Sequence, residues 1–422
     1  MQTFSKPSFL SRYTLALTHS DFRWVWLGSL GGQSAHWALI VARGVLVLEM
    51  TGSSALVGIT TFAAMAPRFV IPPLAGYLAD RFDRRAILAT AYSLQLAHTI
   101  VLTTLALTDL LLIWHVILLS VANGSFRAFQ MTTTQALIPN LVPREKMFNA
   151  IALNQVTVQG SRFVGPAFVA PALLYYGPGT AFLGSTIFYV VGLAGILMVR
   201  TRSSGGIEKG TNVGQSLMEA ASYSWGNPQV RMLFILIALH CSMTMAFEST
   251  LPVFSREVLQ QNMAGVSYLM MGVGGGALVA VMVTAGVRSS LARGRLLFVF
   301  GIASGASMLV LASTTHMETA MVAAAGMGAA QAGFMTVTSV MVQSLAPDEM
   351  RGRISGLNQI NVGGTMALVN LCNGFAADAF GAPNVLMTLG IAFVVVVVAS
   401  LLVATSRGFY NGVVALPARA AS

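Results

Sequence analysis

Apolar residues along the chain gather into twelve long runs, separated by short charged or Gly/Pro-bearing breaks. They lie at about 23–48, 54–78, 86–108, 111–134, 147–174, 180–200, 229–252, 264–287, 294–314, 319–344, 349–378 and 384–406. Most reach the roughly 20 residues that carry a helix across a bilayer, and all exceed an ordinary strand. Lipid offers the backbone no hydrogen bonds, so such runs predict helices. The expectation is an all-α polytopic membrane protein of twelve transmembrane helices. The longest break starts polar and Gly/Ser-rich (TRSSGGIEKGTNVG) and then reads as a short helix, SLMEAASYSW. It divides the chain into a six-helix bundle at 1–200, a linker at 201–228, a second six-helix bundle at 229–410 and a tail at 411–422.

An internal repeat supports that division. A shift of 204 residues aligns MTTTQALIPNLVPREKMFNAIALNQ (131–155) with MTVTSVMVQSLAPDEMRGRISGLNQ (335–359), with nine identities in 25 positions. The matched Pro143/Pro347, Glu145/Glu349, Asn154/Asn358 and Gln155/Gln359 are not residues that apolar sequence supplies by default. Two homologous halves repeated in parallel are a secondary-transporter arrangement.

Composition agrees. Of 422 residues 55% are hydrophobic and only 9% charged, with a mean hydropathy of +0.73, against about 25% charged in a soluble domain. The net charge of +10 would suggest nucleic acid if gathered on one solvated face, but the basic residues are scattered through short loops, and no nucleic-acid partner is expected. Sorting the 24 Lys and Arg by alternate loops puts 19 on one side and Arg256 alone on the other, with Arg43, Arg68, Arg127 and Arg162 inside spans. The positive-inside rule then places both termini in the cytoplasm. Cys241 and Cys372 lie in apolar runs with no metal-ligand spacing, so neither metal nor cofactor is expected. The first 20 residues lack a continuous apolar core before a cleavage site, so no cleaved signal peptide is expected.

Between the second and third runs stands Gly76-Tyr77-Leu78-Ala79-Asp80-Arg81-Phe82-Asp83-Arg84-Arg85. This resembles the signature loop of the major facilitator superfamily, G-x-L-A-D-R-x-x-R-[RK], in its expected place. Gly76 is expected to permit close helix approach, and Asp80 to be held charged by Arg81, Arg84 and Arg85, forming pairs that latch one half against the other. LEMTGSS (48–54), ALIPNLVP (136–143), SRFVGPA (161–167) and PDEMRGRISGL (347–357) resemble the bacterial group that includes macrolide-efflux and enterobactin-export proteins. The resemblance implies the major facilitator fold, export across the bacterial inner membrane, and a monomer sufficient for it, with no obligate protein partner. Two departures set the chain apart from related drug/proton antiporters: Gly165-Pro166 continues into Ala167 rather than a Gly-Gly pair, and the fourth run has Ser120 where those proteins place an arginine.

A charge at mid-bilayer costs about 2.5–3.5 kcal/mol on insertion scales, so each marks a functional candidate. On the first run Gln33, His36 and Arg43 share one stripe. The fourth carries Ser120, Asn123, Arg127, Gln130 and Thr134 at helical spacing, and the fifth Gln155, Gln159 and Arg162. Together they suggest a cationic wall receiving an anionic or carbonyl-rich small molecule. Asn358 and Asn361 on the eleventh run are candidate substrate ligands, or else bonds between helices. Glu248, placed one and two turns from Thr244 and His240, is the candidate proton carrier, with a surface carboxylate paired to Arg256 as the alternative. The Gly272–Gly276 run is expected to serve close helix packing. Besides an anion exporter, possibilities are a broad xenobiotic efflux pump and a non-transporting sensor or scaffold. No catalytic constellation at usable spacing supports an enzyme.

Overall fold

The computed structural model describes residues 15–203, 213–284, 287, 289–347 and 350–413. The first half contains α1 (Ser20–Thr51), α2 (Ser54–Met65), α3 (Ile71–Arg81), α4 (Arg84–Leu107), α5 (Ile113–Leu137), α6 (Met147–Tyr175) and α7 (Pro178–Leu197). After the linker helix α8 (Val213–Gly226) come α9 (Pro228–His240), α10 (Gly265–Thr284), α11 (Ser290–Ser313), α12 (Met317–Leu345), α13 (Arg351–Phe380), α14 (Ala382–Ala399) and the short α15 (Ala404–Tyr410). Side chains local in sequence set several starts. Asp83 accepts from the Arg85 amide at 3.2 Å to cap α4, and Asn227 accepts from Gln229 and Val230 to cap α9, ahead of Pro228.

Eight helical spans among the described residues are long and apolar enough to cross a membrane, and α2 with α3, bent by 44°, makes a ninth. The bend follows from Pro67, Pro72 and Pro73, which leave a 3₁₀ turn at Ala66–Phe69. The remaining long helices, α5, α6 and α13, have 25, 29 and 30 residues. All three are long enough to cross a bilayer, and they carry polar side chains such as Asn123, Arg162 and Asn370 into the interior.

Within the first half α1 packs on α6 and α7, and α4 on α5 and α7; within the second, α12 packs on α10 and α11, and α11 on α14. The most extensive contacts between the halves are α6 against α10 and α2 against α13. The glycine run explains why α10 sits so close on both sides. A Cβ at Gly276 would collide with the Ala325 carbonyl of α12, and one at Gly274 with the backbone of Arg162 and Phe163 in α6. Small residues let backbones meet where lipid supplies no hydrophobic drive between helices.

The seventh span is broken. After His240 it widens into a π turn at Cys241–Met245, leaves helical form, and resumes at Leu251. Backbone freed at membrane depth must find other partners. Side-chain amides of the second half supply them: Gln331 donates to the Thr244 carbonyl (2.5 Å), Asn373 to that of Ala246 (2.6 Å), and Asn370 accepts from the Ser249 amide (3.1 Å). Asn361 likewise bonds between helices, donating to the Phe234 carbonyl at 3.0 Å.

Candidate transport pathway

A cavity of about 500 Å³ lies between the halves toward the face that bears the signature loop. Pro72, Pro73, Ala128, Met131, Thr132, Gln135 and Ala136 line it from the first half; Gly352, Ser355, Gly356, Gln359, Ile360, Val362 and Gly363 line it from the second, with Leu217 of the linker helix. Much of this wall is the repeated segment, so the two copies read from the sequence face one another across the opening. Arg68 is its one charged lining residue among the described residues. This volume suits a small organic solute, as ligand pockets run about 300–1,000 Å³.

The residues singled out from the sequence sit deeper or to one side. Arg127 donates to Gln33, and both are buried. Arg43 donates to Ser120 at 3.2 Å beside a small void shared with His98 and Asn123, inside the first half. Asn123 donates to Gln95 at 3.4 Å. Arg162 stacks over the Trp37 ring at 4.4 Å, next to the buried His36. Gln159 and Asn358 are half-buried, and the Asn358 carbonyl oxygen has no partner among the described residues. On α13 the cavity takes Gln359 rather than its neighbour Asn358, a rotation of about 100° per residue.

Sequence reasoning missed the hub of this network. Gln95 donates to Gln130 and accepts from Tyr189; Gln130 donates to the Tyr92 hydroxyl, which donates to the Gly28 carbonyl. Tyr92 and Tyr189 read as ordinary apolar-run aromatics, and Gln95 stands alone on its helix. Only their meeting in space shows that buried hydroxyls and amides satisfy one another.

The first half's charges are left largely unpaired. Arg127 Nε and Nη1, Arg162 Nε, Arg68 Nε and the Trp37 indole N–H are buried donors without hydrogen-bond partners. His36 lies within electrostatic reach of all four intramembrane arginines. Glu248 faces them from the second half, within reach of Arg162, Arg68 and Arg43. It is 7% exposed, with Oε2 unpartnered. The surface alternative fails, because Arg256 pairs with Glu257 (3.5 Å). The expected helical stripe fails too: the span breaks before Glu248, and His240 stacks on Phe334 at 4.1 Å with its Nε2 3.1 Å from Ser304. One acid opposite four guanidinium groups leaves a net positive, poorly solvated interior, costly unless an anion joins it.

At the signature loop, Asp80 pairs with Arg84 of its own loop at 3.3 Å. Arg84 also donates to the Ala79 and Ala136 carbonyls, Arg85 to that of Leu197, and Arg81 lies 4.3 Å over the Tyr77 ring. These contacts stay within the first half, unlike the cross-half latch expected, and a Cβ at Gly76 would meet open space rather than a packed helix. The first difference follows from the cavity, which separates the halves at this face. On the opposite face the halves are tied. Asp378, near the end of α13, accepts from Ser53 Oγ (2.6 Å) and from the amides of Ser54 (2.6 Å) and Ala55 (3.0 Å) at the start of α2. Beneath it, Gly58 and Gly374 bring the two backbones together.

A family model described as "transmembrane secretion effector" (MFS_3) matches residues 13–409. The chain belongs to this family of the major facilitator superfamily. It is a multi-pass membrane transporter rather than an enzyme. It is 22% identical over 390 residues to the staphyloferrin A transporter of Staphylococcus aureus, covering 90% of this chain and 93% of that one. It is 30% identical over 162 residues to the enterobactin exporter EntS of Shigella boydii, covering 38% of this transporter and 39% of that protein. With macrolide efflux protein A of Streptococcus pyogenes the identity is 29% over 154 residues, 36% and 38% of the two chains. The fold matches the nucleoside transporter NupG (TM-score 0.69, 11% identity, 93% of this chain and 99% of that one) and the human organic anion transporter MFSD10 (TM-score 0.67, 13% identity, 90% and 98%).

Proposed function

We propose that this transporter exports a small amphipathic organic anion across the bacterial inner membrane by alternating access, in exchange for protons. The carrying observation is an imbalance of charge inside the membrane among the described residues: the buried Arg43, Arg127 and Arg162 and the half-buried Arg68 against Glu248 alone. An anionic solute supplies the missing negative charge and accepts from the unpaired guanidinium donors, while the apolar walls of the cavity take its body. Gln33, Asn123, Gln159 and Asn358 add neutral groups in the same region, and Glu248 exchanges a proton as access alternates. The distribution of Lys and Arg puts the signature loop, the linker and both termini in the cytoplasm, so the cavity faces the cytoplasm, ready to load. Relatives that carry staphyloferrin A and enterobactin support export of a metabolite.

Inside-out vesicles holding an acid interior test this reading. Adding a transported anion should dissipate the pH gradient, reported by acridine fluorescence, only where the transporter is present. Dissipation by cationic and neutral compounds alone would favour the second reading, a broad xenobiotic pump. That reading draws on the mostly apolar cavity wall and on the macrolide-efflux relative.

A further inference from the structure

Of the four intramembrane arginines only Arg68 reaches the cavity, and its position was not among the substrate candidates read from the sequence. It stands on the 3₁₀ turn that Pro67 creates between α2 and α3, where the chain turns aside and presents a side chain that a straight helix would place elsewhere. Its aliphatic stem lies along the second half: the Cβ that Gly363 lacks would sit 3.4 Å from Arg68 Cδ and 3.6 Å from its Cβ. These are ordinary van der Waals distances, so the arginine stem runs close beside α13 at the seam between halves.

The guanidinium is held there with no described partner at contact distance. Arg68 forms no ion pair or hydrogen bond with a described residue, and its Nε is buried and unpartnered. Around it the cavity offers Thr132, Gln135, Ser355 and Gln359 as neutral polar groups, with no carboxylate among the described residues and an otherwise apolar wall. A cation with no described carboxylate beside it acts at short range on a solute in the cavity, through a partly solvated medium. It lowers the energy of an anion in the cavity and raises that of a cation. Behind it, Arg68 is within electrostatic reach of Glu248 and His36, and so connects the open cavity to the closed polar interior.

We propose that Arg68 is the charge-selecting residue of this transporter. It admits organic anions to the cavity and disfavours cations, seating the anionic group of the solute against its guanidinium while Gln135, Gln359 and Thr132 hydrogen-bond the rest of the head. This rests on the anion-export reading but is testable without knowing the solute.

The test uses full-length transporter with Cys241→Ala and Cys372→Ser, carrying Gln359→Cys as a reporter on the cavity wall, one helical turn from Gly363. Modification rates are compared for an anionic reagent, sulfonatoethyl methanethiosulfonate, and a cationic one of similar size, trimethylammonioethyl methanethiosulfonate. Replacing Arg68 by Gln should lower the anion-to-cation rate ratio by about tenfold, the scale set by one charge acting on probes of opposite sign through a partly solvated medium. Arg68→Lys keeps the charge and should keep the ratio, which also separates charge from folding. A ratio unchanged in Arg68→Gln, or lost equally in Arg68→Lys, would overturn the proposal. A ratio that behaves as expected while no anion is exported would instead overturn the transport reading and leave the filter standing.

Discussion

Asp378 ties the two halves at the face opposite the cavity, so truncating it to Ala should ease opening there. The change removes three hydrogen bonds from α13 to the first turn of α2, two of them to backbone amides that no intrahelical carbonyl can satisfy. Capping by a carboxylate is worth about 0.5–2 kcal/mol, and the α2 dipole adds to it. Because Asp378 is exposed, water and salt screen its charge, and the lower part of that range applies, about 1 kcal/mol. Since the contact exists only while this face is closed, nearly all of that energy biases the conformational equilibrium, and the ratio of open to closed should rise about fivefold. Pulsed electron paramagnetic resonance can read this from spin labels on Thr108→Cys and Ser313→Cys, exposed positions on this face in opposite halves, in the background lacking Cys241 and Cys372. Asp378→Asn keeps an acceptor oxygen without the charge and should fall between wild type and Ala. A distance distribution for Asp378→Ala identical to wild type would show that the cap contributes nothing to the closed state, and the reasoning would fail.

Other expectations concern the interior. Arg127→Ala and Arg43→Ala should each lower anion-driven dissipation of a pH gradient in inside-out vesicles by about 10- to 100-fold, the range for losing a hydrogen bond to a charged group; rates equal to wild type for both would remove the cationic wall. Glu248→Gln should abolish proton-driven flux yet retain exchange of labelled for unlabelled solute, and retained proton coupling would acquit Glu248. Asn373→Ala leaves the Ala246 carbonyl unpaired and should cost about 1 kcal/mol, seen as a lower midpoint of thermal unfolding in detergent. Gly276→Leu forces α10 from α12 and should cost about 1–3 kcal/mol or more, with loss of monodisperse protein as the readout.

Much of this architecture was legible because lipid imposes a simple rule on the chain. Every span must be a helix of a certain length, and the runs, the linker helix and the repeat could be read from periodicity and self-similarity alone. The glycines of α10 announced close packing for the same reason: nothing else justifies them in an apolar helix. What resisted was anything decided by helix rotation or by a break. Asn358 was a candidate ligand and Gln359 was not, yet the cavity wall is turned by one residue. Glu248 appeared on a regular helix, and the amides that hold its irregular backbone, Gln331, Asn370 and Asn373, lie more than 80 residues away in the sequence. Arg68 depended on Pro67 bending the span, a local signal that was present but does not by itself say which way the side chain turns. Asp378 needed the structure outright, since the helix it caps belongs to the other half.

Whether an organic anion leaves the cell through this protein can be read from metabolite profiles of spent medium and cell extract. They would be compared in the source cells, in a deletion strain, and in that strain complemented with wild type or Arg127→Ala. On deletion an anionic compound should disappear from the medium and accumulate inside, return to the medium with wild type, and stay trapped with Arg127→Ala. A retained compound that is neutral or cationic, or that Arg127→Ala exports as well as wild type does, would contradict this expectation.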